Sequence, residues 1–205
     1  TLTATVSGLV EGEQESLIVY TLARDEGEDV GTYDITPSGE AAQGNYTVSY
    51  VDGTLTITKA GTLTVSGVDY EGIYDGAAHG EAATANVTAG TTISYSVDGG
   101  ETWSTTAPTI TDVGETTVQV KAENANYETA TDSYKLKVTP KAVTVTADNK
   151  SKVFGTADPT LTATVSGLVE GEQESLINYT LTRAEGENVG TYDITPSGEA
   201  AQGNY

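Results

Sequence analysis

Residues 1–46 read TLTATVSGLVEGEQESLIVYTLARDEGEDVGTYDITPSGEAAQGNY, and residues 160–205 carry the same text with four changes. Val19 is answered by Asn178, Ala23 by Thr182, Asp25 by Ala184 and Asp29 by Asn188. An internal repeat takes precedence over any local pattern, because it fixes how the chain is divided. The offset of 159 residues is far longer than a solenoid repeat and close to the length of two small β-domains. The stretch between the copies therefore holds the rest of one module and the whole of a second.

Two linkers place the boundaries. Lys59-Ala60-Gly61 follows one alternating strand (residues 55–58) and Thr139-Pro140-Lys141 follows another (residues 136–139). The middle module is then 61–140. The repeated module is split: 1–60 lacks its N-terminal strands, and 141–205 lacks its C-terminal hairpin, which appears only at 47–60. The two module types also resemble each other. Val30-Gly31 precedes Asn45-Tyr46, with Leu55 nine residues after that Tyr; Val113-Gly114 precedes Asn126-Tyr127, with Leu136 again nine residues on. Phe154-Gly155 and Tyr74-Asp75-Gly76 are matching aromatic-Gly turns. These are two divergent versions of one β-module.

The apolar period is two: Val143, Val145 and Ala147; Ile93, Tyr95 and Val97; Val118, Val120 and Ala122; Tyr134, Leu136 and Val138. Thr, Val and Tyr dominate these runs and suit a pleated, half-buried surface. Gly, Asp-Gly and Asn punctuate the chain every 8–12 residues, as at Asp52-Gly53, where the pair tolerates the positive φ of a tight hairpin. Residues 13–19 allow one short helical turn at most. The reading is all-β: tandem small antiparallel β-sandwich modules, elongated, with thin Tyr-lined cores.

Composition excludes whole classes. The 205 residues include no Cys and no Met, one Phe, one Trp and twelve Tyr, with a formal charge of -21 and a pI near 4.1. Without Met, the sequence reads as a fragment or a processed product. Without Cys there is no disulfide, thiolate metal site or cysteine nucleophile. The charge repels phosphate backbones and anionic lipid, so no nucleic acid partner and no membrane insertion in this segment are expected. It is spread as -8, -8 and -5 over 1–60, 61–140 and 141–205, a property of every module.

No catalytic, cofactor-binding or metal residues are assigned. Ser96-Val97-Asp98-Gly99-Gly100-Glu101-Thr102-Trp103 fits the Asp-box pattern, in which Asp98 accepts hydrogen bonds from turn amides, Gly100 takes φ > 0 and Trp103 packs beside the hairpin. A sialidase reading fails on its arginines: the chain has only Arg24 and Arg183, one position in two copies. The acidic run at 24–29 invites calcium, and no other cofactor is expected; the competing reading is a solvated loop, since the second copy has lost two carboxylates. His79, the only histidine, has no partner in the sequence for a triad or zinc site. Exposed aromatics are common carbohydrate platforms, which makes Tyr70, Tyr74 and Trp103 the candidate ligand-binding residues. The competing reading puts such Tyr residues in the core or at strand corners.

Residues 151–159 (SKVFGTADP), 164–172 (TVSGLVEGE) and 186–198 (GENVGTYDITPSG), with Asn45-Tyr46-Thr47-Val48 and Gly53-Thr54-Leu55-Thr56-Ile57, resemble the MBG ("mostly beta, glycine-rich") repeat of large bacterial surface proteins. The likeness covers 1–60 and 141–205. The middle module resembles the bacterial Ig-like repeats that alternate with MBG units in Gram-positive surface proteins. The resemblance implies export to the extracellular bacterial cell surface, cell-wall attachment through regions outside this sequence, and a stalk or adhesin role rather than an enzyme. The leading expectation is a non-enzymatic stalk or spacer. Alternatives are direct adhesion to a host glycan, mucin or surface protein, and an accessory module of a secreted carbohydrate-active enzyme. The divided repeat adds one expectation about partners: self-association through the truncated half-modules, whose open strand edges favour pairing with another chain.

Overall fold

Alternation of exposed and half-buried residues carries through to fifteen short strands in the computed structural model, which describes residues 1–205, and to no α-helix. Contacts divide the chain into two compact units. The first comprises Thr1–Thr64, Val87–Thr92 and Glu123–Ala130; the second comprises Val65–Asn86, Ile93–Ala122 and Thr131–Tyr205.

The first unit is built on strands β1 (Thr21–Arg24), β2 (Gly31–Ser38) and β5 (Gly53–Ile57), with β2 central, and a small ladder of β3 (Ala42–Gln43) on β4 (Tyr46–Thr47). Strict alternation along β2 turns Tyr33, Ile35 and Pro37 inward and leaves Thr32, Asp34, Thr36 and Ser38 outward. Both pairings are antiparallel, with Leu22 opposite Pro37 and Tyr33 opposite Leu55. Pro37 is tolerated in the central strand for a local reason. The Asp25 N–H donates to the Asp34 carbonyl at 3.0 Å, so even-numbered residues of β2 bond to β1, and Pro37 faces the β5 side, where pairing has already ended at Ile35. The expected helical turn is a single 3-10 turn at Glu15–Leu17, which leads into the buried Ile18.

Most of a four-stranded sheet falls in the second unit, in the order β7 (Tyr70–Ile73), β11 (Tyr127–Thr139), β10 (Gly114–Asn124) and β9 (Thr92–Ser96). Its long hairpin β10–β11 supplies the core: Val118, Val120 and Ala122 on one strand, Tyr134, Leu136 and Val138 on the other. A short ladder pairs β6 (Val65–Ser66) with β8 (Thr84–Ala85). One pairing departs from the antiparallel expectation: β7 runs parallel to β11, with Tyr70 opposite Leu136. Alternation reports which face is buried but not strand direction, and the strands lying between β7 and β11 in sequence give the long connection a parallel pair requires. The unit continues with β12 (Thr144–Ala147) on β13 (Ala163–Ser166), and β14 (Thr180–Arg183) on β15 (Ile194–Ser197), both antiparallel. Its C-terminal core gathers Tyr74, Val138, Val165, Ile177 and Tyr205.

Three of the four differences between the copies fall where the side chain that differs makes no bond; the fourth, Asp29, accepts a bond from Asn126 through its carboxylate. Gln43 reads Val19 through its N–H (2.7 Å) and carbonyl (2.9 Å), and Gln202 reads Asn178 in the same way at 2.6 and 3.0 Å, so either side chain is accepted there. Asp25 and Ala184 each bond through the backbone N–H, at 3.0 and 2.8 Å. Ala23 and Thr182 point outward from β1 and β14.

Leu136 is fully buried (0% exposed). Leu136→Ala is expected to cost about 3 kcal/mol, from lost burial and the cavity left behind. The single Trp103 lies in the same unit, so its fluorescence in a urea titration reads the loss as a lower midpoint.

Candidate functional site

The three candidate platform residues do not form one surface. Tyr74 is 6% exposed, its hydroxyl donates to Glu172 at 2.7 Å, and its ring meets Tyr205 edge-on at 5.6 Å. Glu172 accepting its proton raises the phenol above its ordinary pKa. Tyr70 is half-buried and stacks on the His79 imidazole, 4.4 Å between centroids at 9°. Trp103 is 38% exposed and lies beyond β9, whereas Tyr70 sits on β7, the opposite edge of the sheet. The physical reason is plain: Tyr74 serves the core, and the sheet separates the other two. His79 does find a partner that the sequence did not suggest. Its Nε2 lies 2.9 Å from Asp75 Oδ1, and this contact holds the Asp75 carboxyl below its usual range.

The Asp box is a hairpin brace. Asp98 Oδ1 accepts from the Ser96 hydroxyl at 2.6 Å, and both carboxylate oxygens accept from the Thr102 N–H at 3.0 Å. The Thr102 hydroxyl adds a further bond to the same carboxylate. Gly100, at φ +95°, gives its carbonyl to Trp103 Nε1 at 3.1 Å, while Lys121 Nζ stands 4.7 Å from the indole centroid. These donors, Ser96 foremost and then Thr102, hold the Asp98 carboxyl well below the usual carboxylate range. A depressed folded pKa means the stabilisation is complete above the unfolded value and disappears only as pH falls through the folded one. Trp103 emission is therefore expected to stay constant from pH 7 down through 3.8, the ordinary aspartate value, and to change only in stronger acid. Asp98→Ala removes the brace and is expected to give the altered emission already at pH 7.

Two carboxylates of the acidic run, Glu28 and Asp29, have side-chain partners. Arg24 Nη2 contacts Glu28 at 2.6 Å and the Gly27 carbonyl at 2.7 Å, and its guanidinium lies 5.4 Å from the Tyr33 centroid. Gly27 takes φ +138°, and a Cβ there would stand 2.3 Å from the Tyr33 ring. Arg183, Glu187, Gly186 and Tyr192 repeat the arrangement. Asp29, the last carboxylate of the run, points into a different construction.

That construction occurs twice and is the most specific polar geometry in the protein. In the first unit, Asn126 Oδ1 accepts the Val30 N–H at 2.8 Å, Asn126 Nδ2 donates to Asp29 Oδ1 at 2.6 Å, and the Asn126 carbonyl accepts the Ala60 N–H at 3.0 Å. In the second unit, Asn204 Oδ1 accepts the Val113 N–H at 2.8 Å, Asn204 Nδ2 donates to Asp112 Oδ1 at 2.9 Å, and the Asn204 carbonyl accepts the Lys141 N–H at 3.0 Å. In both cases the partners are the acid-Val pair of one sequence module, the linker after it, and an Asn of the following module, Asn126 or Asn204. Asparagine suits the task because one amide carries both an acceptor and donors. The spacing of Val-Gly and Asn-Tyr is visible in the sequence, but it reads there as likeness between modules, not as contact between them.

Asn204→Ala removes two of the three bonds and leaves the Val113 N–H and Asp112 without their partner. It is expected to cost about 1–3 kcal/mol. Asn204→Asp keeps the acceptor but sets a carboxylate against Asp112, so its loss is expected to shrink in high salt, whereas that of Asn204→Ala is not. Thermal melts at two ionic strengths check both.

The family model for the MBG domain (YGX type) matches residues 1–56 and 143–205, more than half of the chain and both copies of the repeat. No curated protein matches the chain.

Proposed function

The chain belongs to the MBG domain (YGX type) family, and on that premise we propose that it is a non-enzymatic spacer segment of an exported, adhesin-like protein of the bacterial cell surface. The observation that carries the reading is the recurring Asn junction. A spacer has to couple each module to the next in a fixed way, and the same three hydrogen bonds are made at both linkers. The middle module, outside the matched ranges, takes the place of an Ig-like unit alternating with the MBG copies. The dense acidic surface keeps such a segment solvated. The groups with chemical potential support a structural role. Asp98 and Asp75 are both held below the ordinary carboxylate range as acceptors in tight turns, which suits neither to acid–base work near neutrality.

A second reading, direct adhesion to a host glycan or mucin, is favoured by one observation: the part-exposed Trp103 ring with Lys121 over it. An array of glycans and mucins probed with the whole chain separates the two. The spacer reading expects no signal above a control protein of equal charge. A reproducible signal that Trp103→Ala abolishes would move the function to adhesion.

A further inference from the structure

The repeat provides an internal control, because the same residues appear once engaged and once open. In the second unit, Leu168, Val169 and Val113 pack against a buried core that includes Tyr74 and Tyr205. In the first copy the same letters are Leu9, Val10 and Tyr46, yet Val10 is 65% exposed and Tyr46 is only half-buried, where Tyr205 is 7% exposed. Asn45, the counterpart of Asn204, is exposed. The turn is nonetheless already built. The Val10 N–H donates to the Tyr46 hydroxyl at 3.0 Å and that hydroxyl donates to Glu13, the same bonds that Tyr205 makes with Val169 and Glu172.

The complementary surface is open too. Val30 and Val113 are half-buried beneath their Asn partners, but Val189, at the same place in the third module, is 92% exposed. Phe154, which stands where the middle module has Tyr74, is 69% exposed. Phe154, Asn188, Val189 and Tyr192 line a single open depression. Asn188 replaces Asp29 of the first copy and loses the charge, but it keeps the side-chain oxygen that receives the amide.

We propose that this depression receives the Asn45–Tyr46 turn of a second copy of this chain. The Val189 N–H donates to Asn45 Oδ1, Asn45 Nδ2 donates to Asn188 Oδ1, and Tyr46 and Val10 cover Phe154 and Val189. The contact is a turn entering a preformed depression, distinct from an exchange of missing strands. Turn and depression are different surfaces, so the contact is heterologous and adds copies head to tail instead of closing a symmetric dimer. Because both partners are strongly acidic, association strengthens as salt screens their repulsion. The inference rests on the junctions being coupling devices, which the Asn204 variants test independently within one molecule.

Sedimentation equilibrium of the whole chain is the measurement. The parent is expected to show open-ended association that rises with concentration and salt. Asn45→Ala is expected to weaken it at least about tenfold, as for loss of two hydrogen bonds. Val189→Asp spoils the depression and keeps the turn; Val10→Asp with Asn45→Ala spoils the turn and keeps the depression. Each is expected to be monomeric alone, and their mixture to form a one-to-one complex that grows no further. The substituted positions are exposed, so unchanged melting curves are expected and serve as the folding control. A parent that stays monomeric at millimolar concentration, a Val189→Asp variant that associates like the parent, or a mixture that yields no complex overturns the proposal.

Discussion

A backbone N–H with no strand to pair with is the constraint on which the junctions depend. Around the linkers, the half-buried Val30, Val113 and Lys141 each present a donor that no ladder satisfies, and the Ala60 N–H bonds through a single parallel bridge to the start of β11; a backbone amide left unpaired away from water is costly. One asparagine answers two of them at each junction, with its side-chain oxygen and its own carbonyl, while its amide hydrogens hold the neighbouring aspartate. The Tyr that follows Asn204 then packs edge-on against Tyr74 and donates to Glu172, which the Tyr74 hydroxyl also reaches. Polar satisfaction and apolar burial thus converge on the same two-residue turn. That convergence makes the junction specific in a protein whose core is otherwise thin.

Elsewhere, short local braces take the place of a large core. An arginine lies over a tyrosine and caps a loop carbonyl in both copies, and an aspartate gathers hydroxyl and amide donors across the Asp-box hairpin. In the second unit, Lys152 and Arg183 share Asp158 and Glu187 at 2.6 to 3.1 Å. Pairs so exposed contribute little individually. They fix loop shape, and the apolar burial in the second unit is greatest along the alternation of Val118, Val120, Tyr134 and Leu136.

Much of this is legible from residues. Alternation marks the strands, the repeat marks the family, the Asp box declares its own hairpin, and residues 13–19 give the one short helical turn they allow. What escapes is anything that depends on a partner distant in sequence. Tyr70, Tyr74 and Trp103 look alike as aromatic residues near turns; only the sheet order puts Tyr70 and Trp103 on opposite edges and Tyr74 inside. The parallel direction of β7 and the Asp75 partner of His79 are hidden for the same reason. The Asn-Tyr signal was in view, but its contacts lie more than 90 residues away.

The two copies of the repeat separate what sequence decides from what tertiary structure decides. The sequence alone determines the strand period, the turns, the 3-10 turn before Ile18 and Ile177, and the Tyr–Glu bond within each copy, because these need only neighbours that both copies possess. It does not determine strand extent: β13 is a strand because β12 pairs with it, while the same letters at residues 4–7 pair with nothing and form none. β2 runs eight residues because β5 extends its ladder, whereas β15, with the same sequence, runs four. Nor does it determine burial, since Tyr205 is enclosed where Tyr46 is not, and Val189 is bare where Val30 and Val113 are covered. Hydrogen-bond ladders and apolar burial are properties of pairs, and identical residues acquire them only when the second member of the pair is present.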